Sequence, residues 1–229
     1  MGNLFRDNLI GGIKSMFKRF VIIAMVGVFG LAGFIGSEKP AAASQVTFTS
    51  EMHGSKNLTN HGMIKYYVKA DAKKYQGDIQ AAANKWNHAL GRRLFRPTSS
   101  LTQSRLAFTG TTQLAAGYAG MAEVNSGVIA LNDRWMKRYS HQKRQAVVIH
   151  EMGHTMGTSD LYDYSDPILR RQFKRLTIMG GNYHTTMTHF DVSLAKWSLK
   201  KTHVMSNATF QGYRANQGLF YQQMIHGKL

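Results

Sequence analysis

The sequence predicts an α+β domain: a small twisted mixed sheet with a long packing helix, a central helix and a C-terminal helix. Three observations predict it. Residues 63–69 (Met-Ile-Lys-Tyr-Tyr-Val-Lys) are rich in β-branched and aromatic side chains, the composition of a strand. Downstream, Ile79, Ala82, Ala83, Trp86 and Leu90 recur at three-to-four spacing, which puts them on one helix face. The apolar run 146–149 then leads directly into His150-Glu151-Met152-Gly153-His154, the pattern of a helix buried on most sides.

The chain has 229 residues, enough for one domain with a proper core and a targeting segment. Its first twenty residues are basic (Arg6, Lys14, Lys18, Arg19), residues 20–36 carry no charge, and Ala41-Ala42-Ala43 offers a small-residue cleavage site. Residues 1–43 therefore read as a secretory signal peptide or, uncleaved, as an N-terminal membrane anchor. An exported chain without cysteine forms no disulfides, which with the long basic N-terminal region points to a bacterial, Gram-positive source. Residues 44–62 are polar and aperiodic and read as a flexible lead-in or short pro-segment, leaving 63–229 as the folded domain.

After the strand at 63–69, Asp71 can cap a helix over 72–90, with Gly91 as its stop. Short extended pieces follow, clearest at 105–109, with Pro97 and Gly110 marking turns. Residues 118–124 and 128–131, joined by Asn125-Ser126-Gly127, form a hairpin whose edge strand leads toward the central helix. Ser140 is the N-cap of that helix. Asp166-Pro167 opens a short basic helix, and Thr188 or Asp191 caps a further one ending near Lys200-Lys201. Residues 207–229 carry aromatics and glycines without a period and receive no assignment.

The chemistry concentrates in residues 150–160. Two histidines four apart on a helix bring both imidazoles to one metal ion, and the intervening glutamate stands beside its open position, ready to activate a water. Gly157 permits a left-handed turn that ends the helix and lets Asp160 swing back to the same point. No glutamate follows Glu151, so a downstream glutamate cannot complete the site; Asp191, His184 and His189 are other third donors, without the turn that favours Asp160.

With its extended spacing, the motif resembles that of the metzincin zinc metallopeptidases in the variant where aspartate replaces the third histidine, as in snapalysin-like and immune inhibitor A-like enzymes. Asp160-Leu161-Tyr162-Asp163 is similar to a run in the latter group, and Thr177-Ile178-Met179-Gly180-Gly181 resembles the family's methionine turn. The resemblance spans roughly residues 63–203 and implies a metzincin-like fold. It also implies His150, His154 and Asp160 as ligands of one zinc ion, Glu151 as general base, and Met179 as the floor. Relatives place a tyrosine two residues past the turn methionine. Here that position is Gly181, with Tyr183 nearest, while Tyr162 and Asp163 are candidates to hold the ligand loop.

Function follows as an expectation: a secreted or cell-surface zinc endopeptidase, monomeric, acting on protein or peptide. The formal net charge is +17, and removing residues 1–43 takes away five basic and two acidic side chains, leaving +14. Such a field favours anionic wall polymers or membrane surfaces, whereas no nucleic-acid module is recognisable. The few acidic residues form no recognisable calcium loop. The competing readings are a cationic wall- or membrane-attached binding protein with an inactive or structural zinc site, and a zinc hydrolase of non-peptide amide bonds.

Overall fold

The computed structural model describes residues 47–115, 117–181 and 184–226. The expected signal segment 1–43 and Tyr183 lie outside these residues, and no helix among the described residues is long and apolar enough to cross a membrane. In chain order the elements are β1 (Lys56–Asn57), β2 (Ile64–Val68), α1 (Gln76–Leu90), β3 (Phe95–Pro97), β4 (Leu106–Thr111), β5 (Gly120–Glu123), β6 (Val128–Asn132), α2 (Asp133–Met136), α3 (His141–Thr155), α4 (Pro167–Leu176), α5 (His189–Lys201), β7 (His203–Val204), α6 (Asn207–Ala215) and α7 (Gln217–Ile225).

The main sheet has the order β3-β2-β4-β6-β5. Four strands run parallel, and β5 is antiparallel to β6 at one edge. Inner strands of a parallel sheet are covered on both faces, which accounts for the nearly continuous burial of β4 and β6. On one face α1 packs against α3, and the Trp86 indole donates to the Ile149 carbonyl at 3.0 Å. On the other, Val128 and Ala130 pack with Leu114 and with Ile225 of α7. Within the unassigned segment 207–229, the residues 207–225 form two short helices, α6 packing into the main core through Phe210 and α7 closing the second face through Ile225. Its weak periodicity follows from a contact made mainly through a few residues such as Phe210 and Ile225.

The structure changes several expectations. Asp71 does not cap the long helix: residues 70–75 form a 3-10 turn, and the carboxylate accepts from the Thr109 hydroxyl and the Gly110 amide instead. Gly110 is a strand residue where a Cβ would meet the Asp71 carbonyl oxygen at 2.5 Å, so it serves close packing rather than a turn. Pro97 ends β3, an outer strand, where a missing amide donor is tolerated.

The largest change concerns the lead-in. From residue 47 it belongs to the folded domain, with Met52, Asn57 and Leu58 buried. β1 pairs in parallel with β7, and Asn57 donates to the Thr202 carbonyl and hydroxyl while accepting from Thr59. Buried Arg105 donates to the carbonyls of Leu58, Thr59 and Met205 and lies over the Phe210 ring. A polar sequence can be ordered when its side chains satisfy backbone groups, a pairing that hydrophobic periodicity does not register.

Replacing Asn57 with Ala leaves several buried groups unpaired and should lower unfolding free energy by about 2 kcal/mol. Chemical denaturation reads this as a lower midpoint with an unchanged slope; an unaltered midpoint would mean that the segment does not brace the fold.

Candidate metal centre

The centre is built by α3 and the turn after it. Ser140 caps the helix by accepting from the Lys143 amide, and Val148, Ile149 and Met152 are fully buried, which fixes the helix against α1 and the sheet. Gly153 permits two close approaches: a Cβ there would lie 2.7 Å from Met179 Sδ and 3.0 Å from Thr158 Oγ1. At the helix end Gly157 has φ +92°, its amide donates to the His154 carbonyl, and an added Cβ would strike the Thr202 side chain. Both left-handed geometry and contact therefore call for glycine.

Beyond that turn Asp160 returns to the helix. Its Oδ1 lies 3.0 Å from His150 Nε2 and 3.4 Å from His154 Nε2, and the two Nε2 atoms are 3.2 Å apart. The remaining ring nitrogens face carbonyls: His150 Nδ1 sits 2.9 Å from Ile178 O, and His154 Nδ1 2.9 Å from Thr158 O. Carbonyls only accept, so each Nδ1 carries the proton and each neutral ring turns an Nε2 lone pair inward. Asp160 Oδ1 is buried with no hydrogen-bond donor directed at it, despite its short separation from both rings. Three acceptors thus meet at one point, an arrangement that a cation, or a proton on one of the histidines, would bridge.

Zinc fits this donor set. Two imidazoles and a carboxylate are ordinary zinc ligands, and tetrahedral ligands about 2.0–2.1 Å from zinc stand roughly 3.3 Å apart, near the separations found here. Without metal, protons must balance the charge. Burial works against charged imidazoles, but Asp160 outweighs it, raising His150 and lifting His154 to about 9. Burial likewise opposes ionised Asp160, yet the two histidines hold its carboxyl well below the usual range. Glu151 is pushed up, first by burial, while the neighbouring histidines pull it back.

The segment 178–180, a 3-10 turn, lies under the helix with Met179 buried against Gly153. Asp191 holds that turn through the Thr177 hydroxyl and the Ile178 amide, and its other oxygen completes a capping box with Thr188. Both oxygens are thus engaged, which removes Asp191 as a third donor. His184 lines the cleft with Nδ1 toward Thr186 O, and His189 begins α5. The Leu161 amide donates to the Met179 carbonyl, joining ligand loop to turn, while Gly54 and Ser159 make backbone bonds between residues 52–54 and the loop at 157–159. These braces were missed in the sequence reading, although Thr188-x-x-Asp191 carried a visible capping signal.

Tyr162 stacks on His150 with ring centroids 6.2 Å apart. Its phenol is pushed well above the ordinary range by burial and then by Asp160, to which it hydrogen-bonds. Asp163 is exposed at the cleft rim. A cavity of about 560 Å³ opens on the His150 side, and another of about 410 Å³ on the His154 side. β5 runs beside both. Because Ala119 O faces β6, strand alternation turns the backbone of Gly120 and Ala122 to the free edge. A Cβ on Gly120 would touch Glu151 at 2.9 Å, so glycine lets the edge approach the helix.

No protein-family model and no curated protein matches this chain. Among solved structures it is similar to archaemetzincin from Methanopyrus kandleri, with 11% identity, a TM-score of 0.42 and coverage of 62% of this chain and 98% of that one. It is also similar to myroilysin, with 16% identity, a TM-score of 0.37 and coverage of 67% and 71%. Both are distant likenesses.

With His154 raised to about 9, the metal-free site holds protons at pH 7 that zinc must displace. Zinc binding should release about one proton per site, and affinity should fall roughly tenfold per unit as pH drops below about 9. Calorimetry in buffers of different ionisation enthalpy measures this directly; a buffer-independent heat would contradict the assignment.

Proposed function

We propose that this protein is a zinc-dependent endopeptidase of the metzincin type, with His150, His154 and Asp160 as ligands and Glu151 as general base. The convergence of three acceptors, the longest separation 3.4 Å, carries the reading. Three protein donors leave a position open, unlike structural zinc, which four protein ligands usually close. Bound zinc would supply a Lewis acid that polarises the scissile carbonyl and acidifies water.

The chain's own residues do the rest. Glu151, buried and raised in pKa, takes a proton from the attacking water and returns it to the leaving amine. The outer edge of β5, at the Gly120 amide and carbonyl and the Ala122 carbonyl, pairs with an extended peptide, while the Ala122 amide donates to the Glu151 carboxylate. Tyr162 positions His150 and Asp160 through its ring and phenol. Met179 gives the centre an apolar floor. Action outside the cell is part of the proposal and rests on residues 1–43 as an export signal.

Two substitutions separate these roles. Glu151→Ala should keep about one zinc per chain yet lose peptide cleavage by about 10²–10⁴-fold. Asp160→Ala should lose zinc itself, measured by metal analysis after dialysis. Chelator-sensitive cleavage at normal rates by Glu151→Ala would refute the general-base assignment.

A further inference from the structure

Helix α4 presents a face that the metal centre does not use. Its inner side is fixed: Phe173 is buried against the rings of Tyr164 and Phe190, and Leu169 packs on the same core. Ile168, Arg171, Gln172, Arg175 and Leu176 stand at i, i+3, i+4, i+7 and i+8, so they share one helix face, and all five are exposed. Ile168 is 65% exposed and Leu176 53%, which leaves a large aliphatic side chain in water at each end of the face.

The charge on this helix is one-sided. Arg170, Arg171, Lys174 and Arg175 are its charged residues, and no carboxylate among the described residues lies within ion-pair distance of any of them. The acidic groups at its entry are already engaged. Asp166 accepts from the Ile168 and Leu169 amides, and Glu51 accepts from the Ser165 amide and hydroxyl. A soluble polyanion would engage the arginines and leave Ile168 and Leu176 in water. A bilayer with anionic headgroups offers phosphate to the guanidinium groups and hydrocarbon just beneath to the aliphatic ones, and long arginine stems let both be met at once.

The route of the chain points the same way. Residues 49–51 lie against the entry to α4, with Thr49 Oγ1 2.9 Å from the Tyr164 hydroxyl and Glu51 on Ser165. Only residues 37–48 separate Thr49 from the uncharged run 20–36, which the sequence reading assigns to export or anchoring. Extended, that connection reaches at most about 40 Å. A chain held at a membrane by that run therefore keeps α4 within reach of the same surface.

We propose that Ile168, Arg171, Arg175 and Leu176 form a docking face for an anionic phospholipid surface. The proposal goes beyond the peptidase reading and does not depend on it. Lys174, on the opposite side of α4, lines the His150-side cavity, so docking holds that cleft about one helix diameter, roughly 10 Å, from the headgroups.

The test uses the full chain, whose lack of cysteine lets a single introduced thiol carry an environment-sensitive fluorophore. Labels go at Ile168→Cys, at Leu176→Cys and, as a control, at Leu219→Cys, a 58% exposed aliphatic site on the uncharged helix α7. Each label reports its own surroundings, so insertion of residues 20–36 into the vesicle does not mask the result. With vesicles of phosphatidylcholine containing roughly one-third phosphatidylglycerol, the labels at 168 and 176 should shift to shorter wavelength and be quenched by lipid-borne nitroxides, while the label at 219 stays in water. Phosphatidylcholine alone should give no shift. Arg171→Gln/Arg175→Gln in the Leu176→Cys background should lower the docked-to-free ratio about 30-fold, roughly fivefold per arginine. If one labelled variant fails to fold, the other reads the same face. The proposal is overturned by no shift at either site, by an equal shift without phosphatidylglycerol, by an equal shift at 219, or by a response to soluble polyphosphate that matches the vesicles.

Discussion

Three acceptor atoms with no donor among them are the constraint on which the structure turns. His150 Nε2, His154 Nε2 and Asp160 Oδ1 lie within 3.4 Å of one another, an arrangement that needs a positive charge among them, a proton on a histidine or a cation. Holding two imidazoles and a carboxylate this close demands a surrounding chain rigid enough to keep them in register. Three devices supply that rigidity: carbonyls that lock the outer ring nitrogens, the Asp191-held turn beneath the helix, and the backbone bonds from residues 52–54 to the ligand loop.

Much of this was legible before any coordinates. His150, Glu151 and His154 are set by helical spacing, Gly157 by its left-handed turn, and the 125–127 hairpin by turn chemistry, and all depend on neighbours close in sequence. What was not legible depends on distant partners. Asp71 looked like a cap because a carboxylate before a helical pattern often is one, but the 3-10 turn directed it to β4. Residues 52–59 show no pattern because their order comes from the distant Arg105, Thr155 and Thr202, the nearest of them 47 residues away, rather than from apolar periodicity. The two C-terminal helices escaped notice for the related reason that few of their residues face the core.

The electrostatics divide into two zones. At the centre opposite charges are closely matched, as burial demands of ionised groups. Over the surface the chain carries an excess of lysine and arginine, because water shares the cost of exposed charge. A protein can thus hold a tightly balanced reactive point inside a strongly biased field, with the first governed by geometry and the second by composition.

The pairing of β1 with β7 has a consequence for how the molecule comes into being. The ligand loop leans on residues 52–54 and on Thr202, and that segment is itself anchored by Asn57 to the backbone at 202 and by Arg105 to the backbone at 205. A chain emerging from the ribosome holds every ligand long before it holds those anchors. Until residues 202–205 are synthesised, the turn at Gly157 and the segment 52–59 lack the contacts that hold them beside the two histidines and Asp160.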